Sequence, residues 1–343
     1  MRILLCLASA AGGIGTHVAD LATSLSRAGH DVHVVTDDTT RARFDLPGDA
    51  PLTVSSVRRL SRDADVVHAH GFRAGLVAAV GAGATPFVIS LHNPIRGAGV
   101  SPRRLVGELA ARAVIRRADL VTGASSDLVD DALALGARRA ELAPVPSPRV
   151  PELLATDRTV WRRAERTALL SAHGLDSRES LVLTIARVAP QKGIDVLADA
   201  AGQAPGQWVL VGPGQDDLPK GGALHLVGES HDVRPWLLAA DVLVVPSEWE
   251  ARALVVQEAM AAGTPVVARR VGGLPDLIDG VGLLVDGPQA GAAGPIARAV
   301  SATLEHPDRS SQAADRARQR ARGWDGLDQS ATRWTLRYSA VQT

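Results

Sequence analysis

Short apolar runs alternate with helix-patterned stretches along almost the whole chain, and no other feature narrows the fold as much. ILLCLA leads into a helical pattern from about His17 to Ala28, which Gly29 stops. DVHVVT, DVVHAH, PFVISLH, ADLVTGAS and AELAPV follow, each short enough for a buried strand. Such a series folds as a parallel sheet with helices on its faces. It is interrupted at PVPSPRVPELL, residues 144–154, where proline fills four of eleven positions, the composition of a linker. The series then restarts with SLVLTIAR, GQWVLVG, ALHLVG, ADVLVVPS, TPVVAR and GLLVD. The expectation is an α/β fold of two Rossmann-like α/β/α domains, over residues 1–155 and 156–323. Ligands belong at the carboxyl ends of the strands, and one serving both domains would lie in a cleft between them. In the tail, Leu327, Ala331, Trp334 and Tyr338 recur at helical intervals. Residues 324–343 are therefore expected to form a helix that packs back toward the first domain; a terminal helix on its own domain is the alternative.

Composition bounds the function. An apolar fraction of 46% supports a sizeable core, and an aromatic fraction of 3% leaves aliphatic side chains to fill it. Charges balance at 37 against 37, so nothing points to nucleic acid. Cys6 stands alone, which excludes an intrachain disulfide and fits a reducing, cytoplasmic setting. MRILLCLASAAGG has too short an apolar run and too weak a basic start for a signal peptide, and is read as a first strand. No run approaches the roughly 20 residues of a membrane-spanning helix. The only lysines are Lys192 and Lys220, so a lysine in a motif stands out.

Three stretches carry chemistry. After the first strand, Gly12, Gly13 and Gly15 let the backbone approach a ligand, at the start of a helix that presents free amides. Val18 stands where a dinucleotide fingerprint has its third glycine, but Asp37 follows about 24 residues on, so a nicotinamide-dependent oxidoreductase is one alternative. In IARVAPQKGID, Arg187 and Lys192 flank a loop before a helix and would suit a diphosphate. In SEWEARALVVQEAMAAG, Glu250 and Glu258 are eight positions apart, about 2.2 helical turns, so they are not a stacked pair. One in a loop and one in the following helix could both accept hydrogen bonds from sugar hydroxyls. The alternative is a helix-capping Glu250 and a solvated Glu258. His68 and His70 form an H-x-H with no third ligand at a defined spacing, so no metal is expected. Residues 103–118 place Val106, Leu109, Ala110, Ala113 and Val114 on one face and arginines on the rest, the pattern of a core-facing helix or of peripheral contact with an anionic membrane.

Taken in order, these segments resemble glycosyltransferase family 4, the retaining group 1 glycosyl transferases of GT-B fold. The resemblance runs through GGIGTHVADLATSLSRAGHDVHVVT, DVVHAHGFRAGLVA, VISLHN, IARVAPQKGID and SEWEARALVVQEAMAAGTPVVARRVGGLPDLI. It implies that Arg187 and Lys192 hold the donor diphosphate, that Glu258 binds the ribose, and that Glu250 and His92 face the donor sugar. It also implies that Gly12 and Gly13 approach the phosphates and acceptor, and that Val233 contacts the base through its main chain. Ala251, Arg252, Ala253 and Leu254 would line the donor site, where the family has Glu-Gly-Phe-Gly in place of Glu250-Ala251-Arg252-Ala253. A positive φ at Ala251 would be strained, and Arg252 adds a cation. The implied reaction is metal-independent transfer of a hexose-type sugar from a UDP- or GDP-sugar to a hydroxyl of a carbohydrate, lipid-linked or small-molecule acceptor. No other cofactor is implied. A silent sugar-nucleotide binding protein and a nucleotide-sugar epimerase are the remaining alternatives.

Overall fold

The computed structural model describes residues 1–10, 12–95, 102–219 and 221–342, the side chains of 102–104 excepted. The chain divides into two compact units. The first joins Met1–Pro146 to Asp325–Thr343, and the second is Ser147–Trp324.

The first unit runs β1 (Arg2–Leu7), α1 (Gly13–Arg27), β2 (Asp31–Val35), α2 (Asp38–Phe44), α3 (Val54–Ser61), β3 (Val66–His70) and α4 (Phe72–Gly81). It continues through β4 (Phe87–Leu91), α5 (Pro102–Arg117), β5 (Leu120–Gly123), α6 (Ser126–Leu135) and β6 (Ala140–Leu142). Its six strands lie in the order β2-β1-β3-β4-β5-β6, all parallel. The order reverses between β1 and β3, so the loop after β1 and the end of β3 flank the switch point at which such sheets bind ligands. The helix expected from His17 starts at Gly13, because the glycine pair already takes up the turn.

The second unit opens with α7 (Val150–Ala155) and α8 (Arg158–Ala172), followed by β7 (Leu181–Ile185) and a 3-10 turn at Pro190–Lys192. Then come α9 (Ile194–Ala201), β8 (Gln207–Val211), β9 (Leu224–Gly228), α10 (Arg234–Ala239), β10 (Val242–Val245) and α11 (Leu254–Ala262). β11 (Val266–Arg269), α12 (Leu274–Ile278), β12 (Leu283–Val285), α13 (Ala293–Glu305) and α14 (Pro307–Ala321) complete it. Its sheet has the order β12-β11-β10-β7-β8-β9, again all parallel, and its switch point lies between β7 and β10.

Three expectations change. The unit boundary lies at Pro146/Ser147 rather than at 155/156. Residues 150–155 are not a linker: Pro151 sits in the first turn of α7, where proline costs no hydrogen bond, and Arg318 of α14 donates to the carbonyls of Leu154 and Thr156. On α5 the core face is Ala111, Val114 and Ile115, while Leu105, Val106 and Leu109 are 60–67% exposed. The face drawn through Val106 and Leu109 is therefore not the one that packs.

The last helix, α15 (Leu327–Ala340), belongs to the first unit. Trp334 and Tyr338 are buried there among Ile3, Leu5, Val66 and Val88. The Tyr338 hydroxyl, which burial would otherwise leave unpaired, meets His68 Nδ1 at 2.7 Å. Among the described residues no helix is long and apolar enough to cross a membrane.

Candidate functional site

The second unit gathers its charged residues at the switch point. β7 ends at Ile185 and leads to Arg187, which is exposed and, among the described residues, makes no hydrogen bond or ion pair. Lys192 closes the 3-10 turn, and Gly193 then adopts φ +63, where a Cβ would lie 2.5 Å from the Pro246 carbonyl oxygen. Only glycine lets this turn press so close to the chain leaving β10. The contact is reinforced by Glu248 N–H donating to the Gln191 carbonyl at 2.8 Å and by the Gln191 amide donating to the Trp249 carbonyl at 2.9 Å.

Lys192 Nζ is thereby held 2.5 Å from Glu250 Oε1, which also accepts from Ser247 Oγ at 2.7 Å. Beneath this loop, buried Arg269 donates to the carbonyls of Ser247 and Gly287 and to Gln289 Oε1. The glycine loop after β11 closes on the same carboxylate residue: Gly273 N–H donates to the Glu250 carbonyl at 2.8 Å.

Glu258, the fifth residue of α11, is 2% exposed. Its Oε1 accepts from Ser147 Oγ at 2.7 Å and from Arg149 Nη1 at 3.2 Å. Burial pushes its carboxyl above the ordinary value, opposed by the Ser147 and Arg149 contacts, and the charge of Asp232 adds to the rise. The two bland readings therefore fail: Glu258 is not solvated, and the residue capping α11 is Ala253, not Glu250. Each glutamate has one oxygen fixed by a hydroxyl and a cation. Among the described residues, Oε2 of each has no protein partner.

The Ala251-Arg252-Ala253 departure costs no left-handed strain, since Asp45 is the only non-glycine residue at positive φ among those described. Arg252 stacks over the Trp324 ring at 5.2 Å, and burial lowers its guanidinium to about 10. Val233 is the residue before α10. Its carbonyl is taken by Leu237 N–H at 3.0 Å, so the amide is the main-chain group it can offer a base. Leu254 opens α11 and is half-buried.

In the first unit, Gly12 and Gly13 are exposed, and a Cβ on either would meet nothing within 4 Å. The fold itself does not demand glycine at these positions. His92 follows β4, and its Nε2 lies 3.3 Å from His70 Nδ1 at the end of β3. His17, in the second turn of α1, completes a triangle with them. Burial lowers His17 to about 4 and His92 to about 3, and holds His70 and His68 well below the ordinary imidazole value. Both His68 nitrogens are engaged, Nδ1 with Tyr338 and Nε2 with Ser90 Oγ at 2.7 Å.

Sequence reasoning missed Ser147, Arg149, Ser247, Arg269 and His17. Arg269 had a signal, an arginine ending an apolar strand run. The others had none at short range.

Comparison with known proteins agrees with this layout. Residues 12–148 match the Glycosyl transferase 4-like domain, and residues 179–306 match Glycosyl transferases group 1. D-inositol 3-phosphate glycosyltransferase of Mycobacterium sp. (strain KMS) is 29% identical over 338 residues, covering 82% of this chain and 76% of its own. The protein of that name from Mycobacterium tuberculosis (strain ATCC 25177 / H37Ra) is 29% identical over 341 residues, covering 82% of this chain and 69% of its own. Among solved structures, Anabaena HepE in complex with UDP superposes with a TM-score of 0.81 at 22% identity, covering 99% of this chain and 100% of that one. Sucrose-phosphate synthase from Thermosynechococcus elongatus gives 0.77 at 21% identity, with 99% of each chain covered. The two doubly wound parallel units are those of a GT-B glycosyltransferase. The chain belongs to family 4, the group 1 glycosyl transferases.

Proposed function

We propose that the protein transfers a hexose-type sugar, with retention at the anomeric carbon and without a metal cofactor, from a nucleoside diphosphate sugar to a hydroxyl acceptor. The observation that carries this is the matched anchoring of Glu250 and Glu258. In each, Oε1 is held by a cation and a hydroxyl, while Oε2, without a partner among the described residues, can accept from a sugar or ribose hydroxyl. Lys192 has three N–H donors and gives one to Glu250, leaving two for the diphosphate, and Arg187, five residues before it, has no partner among the described residues. As the bond from C1 to the diphosphate oxygen breaks, its electron pair stays with the diphosphate, whose charge these cations stabilise. The acceptor oxygen bonds to C1 on the face the leaving group vacates, and its proton passes to a phosphate oxygen. The Val233 amide is proposed to read the base. The roles of His92, Gly12 and Gly13 rest on the family resemblance alone.

The complexes of HepE with UDP and UDP-glucose favour UDP as the donor nucleotide. The relatives' name favours a small hydroxyl acceptor, with lipid-linked or carbohydrate acceptors as the alternatives. Exposed Leu105, Val106 and Leu109 support peripheral contact of residues 103–118 with anionic membranes, on the inner face if the protein is cytoplasmic; cosedimentation with anionic vesicles should drop on Leu109→Ser.

Calorimetric titration with UDP and GDP tests the donor site. Binding of a nucleoside diphosphate that weakens at least tenfold, about 1.4 kcal/mol, in Glu258→Ala supports the reading. Equal binding by both forms, or no binding by wild type, overturns it.

A further inference from the structure

We propose that His17, His70 and His92 form a binding site in the first unit for one divalent cation of the zinc type. Three different elements supply the rings: α1, the end of β3 and the residue after β4. All three are buried, at 5%, 2% and 8% exposure, and one ring nitrogen from each lies within 4.8 Å of the others.

The spacing fits a metal better than it fits packing. Zinc binds imidazole nitrogen at about 2.0–2.1 Å in tetrahedral geometry, which sets neighbouring ligand nitrogens about 3.4 Å apart and the ring centroids about 5.2 Å apart. The observed centroids form an equilateral triangle of 5.5 Å on each side, and His70 Nδ1 lies 3.3 Å from His92 Nε2. A pair of packed histidines explains that last contact as a hydrogen bond, but not the third ring at the same distance from both.

The chemistry of the donors selects the ion. Imidazole nitrogens suit zinc, cobalt, nickel or copper, whereas magnesium and calcium want oxygen. Neutral imidazole is the form that ligates a metal, so binding should weaken as the solution is made acidic. His68 is excluded as a ligand because Tyr338 and Ser90 occupy its nitrogens, and it instead packs against His70 with centroids 4.1 Å apart. Three protein ligands leave a fourth position for water or an anion, the arrangement of an open rather than a closed site. The transfer proposed above needs no metal, and zinc held here would engage His92. Only that consequence, inhibition of transfer by zinc, rests on the glycosyl-transfer reading.

The test uses the full chain, stripped with chelator and then exposed to Co²⁺, Zn²⁺ or Mg²⁺. Wild type should take up about one Co²⁺ per chain, give the intense visible absorption of tetrahedral cobalt, and lose it to Zn²⁺ but not to Mg²⁺. His17→Gln removes a ligand at nearly constant volume and should weaken binding by at least about 100-fold. His17→Cys restores a ligand and should retain cobalt with an added sulfur charge-transfer band, which separates loss of a ligand from loss of fold. Absence of bound cobalt in wild type overturns the proposal. So does equal binding by His17→Gln, or equal competition by Mg²⁺. Should cobalt bind as expected while no sugar nucleotide binds, the metal site stands and the transferase reading fails.

Discussion

The two switch points of this molecule are built from opposite materials. In the second unit, full charges are brought together and paired: Lys192 with Glu250, Arg149 with Glu258. In the first unit, titratable rings are brought together and kept neutral by burial, His17, His70 and His92 among them. The folds underneath are alike, two six-stranded parallel sheets. The difference therefore comes from what the loops after β7 and β10 carry compared with those after β1, β3 and β4. Charge held in salt bridges can be handed to an ionic ligand without first being created. A neutral cluster has no such charge to offer, only lone pairs and N–H groups.

The largest expected effect that would break this contrast is kinetic. Lys192→Ala should lower kcat by about a thousandfold, about 4 kcal/mol of transition-state stabilisation, because no other lysine lies in that loop. Steady-state transfer from UDP-glucose with unchanged kcat would show that the pair is structural only.

The next effect is in stability against pH, and the two units should respond with opposite sign. His17 and His92 have folded values of about 4 and about 3, below the 6.5 of the unfolded chain. As pH falls from 6.5 toward those values the unfolded state binds the extra protons, so stability present above 6.5 is lost, on the order of 3 kcal/mol for such a histidine. Glu258 is raised above 4.5, so there the folded state binds the extra proton and acidification relieves a cost. Hydrogen exchange followed from pH 7 to 4 should show β3 and β4 deprotected ahead of β10 and α11; the reverse order contradicts the comparison.

The smallest effect sharpens the picture of the donor loop. Arg252→Ala should cost about 1 kcal/mol in thermal unfolding through loss of its stacking on Trp324. Arg252→Phe should restore most of that, because an aromatic ring can occupy the same position.

The sheets were legible because short continuous apolar runs are local signals of strands buried on both faces: DVVHAH became β3 and DVLVVP became β10. Glu250 and Glu258 were legible as a motif, but their anchors were not. Ser147 and Arg149 lie more than a hundred residues before Glu258, in the proline-rich segment taken for a linker, and no periodicity connects them. The histidine triangle was half visible as H-x-H. Its other members come from α1 and from the end of a different strand, and only the parallel register of β3 with β4 sets them side by side. Where α5 misled, the cause was an apolar stripe with two possible faces, of which Ala111, Val114 and Ile115 are the one that packs.

The tail has a consequence for synthesis. Trp334 and Tyr338 fill the hydrophobic interior of a unit whose other strands were made at the opposite end of the chain. The second unit is one uninterrupted segment and can close while translation is still in progress. The first cannot finish until residues 325–343 have also been made, so the N-terminal sheet waits through the synthesis of the whole second unit for the helix that supplies Trp334 and Tyr338.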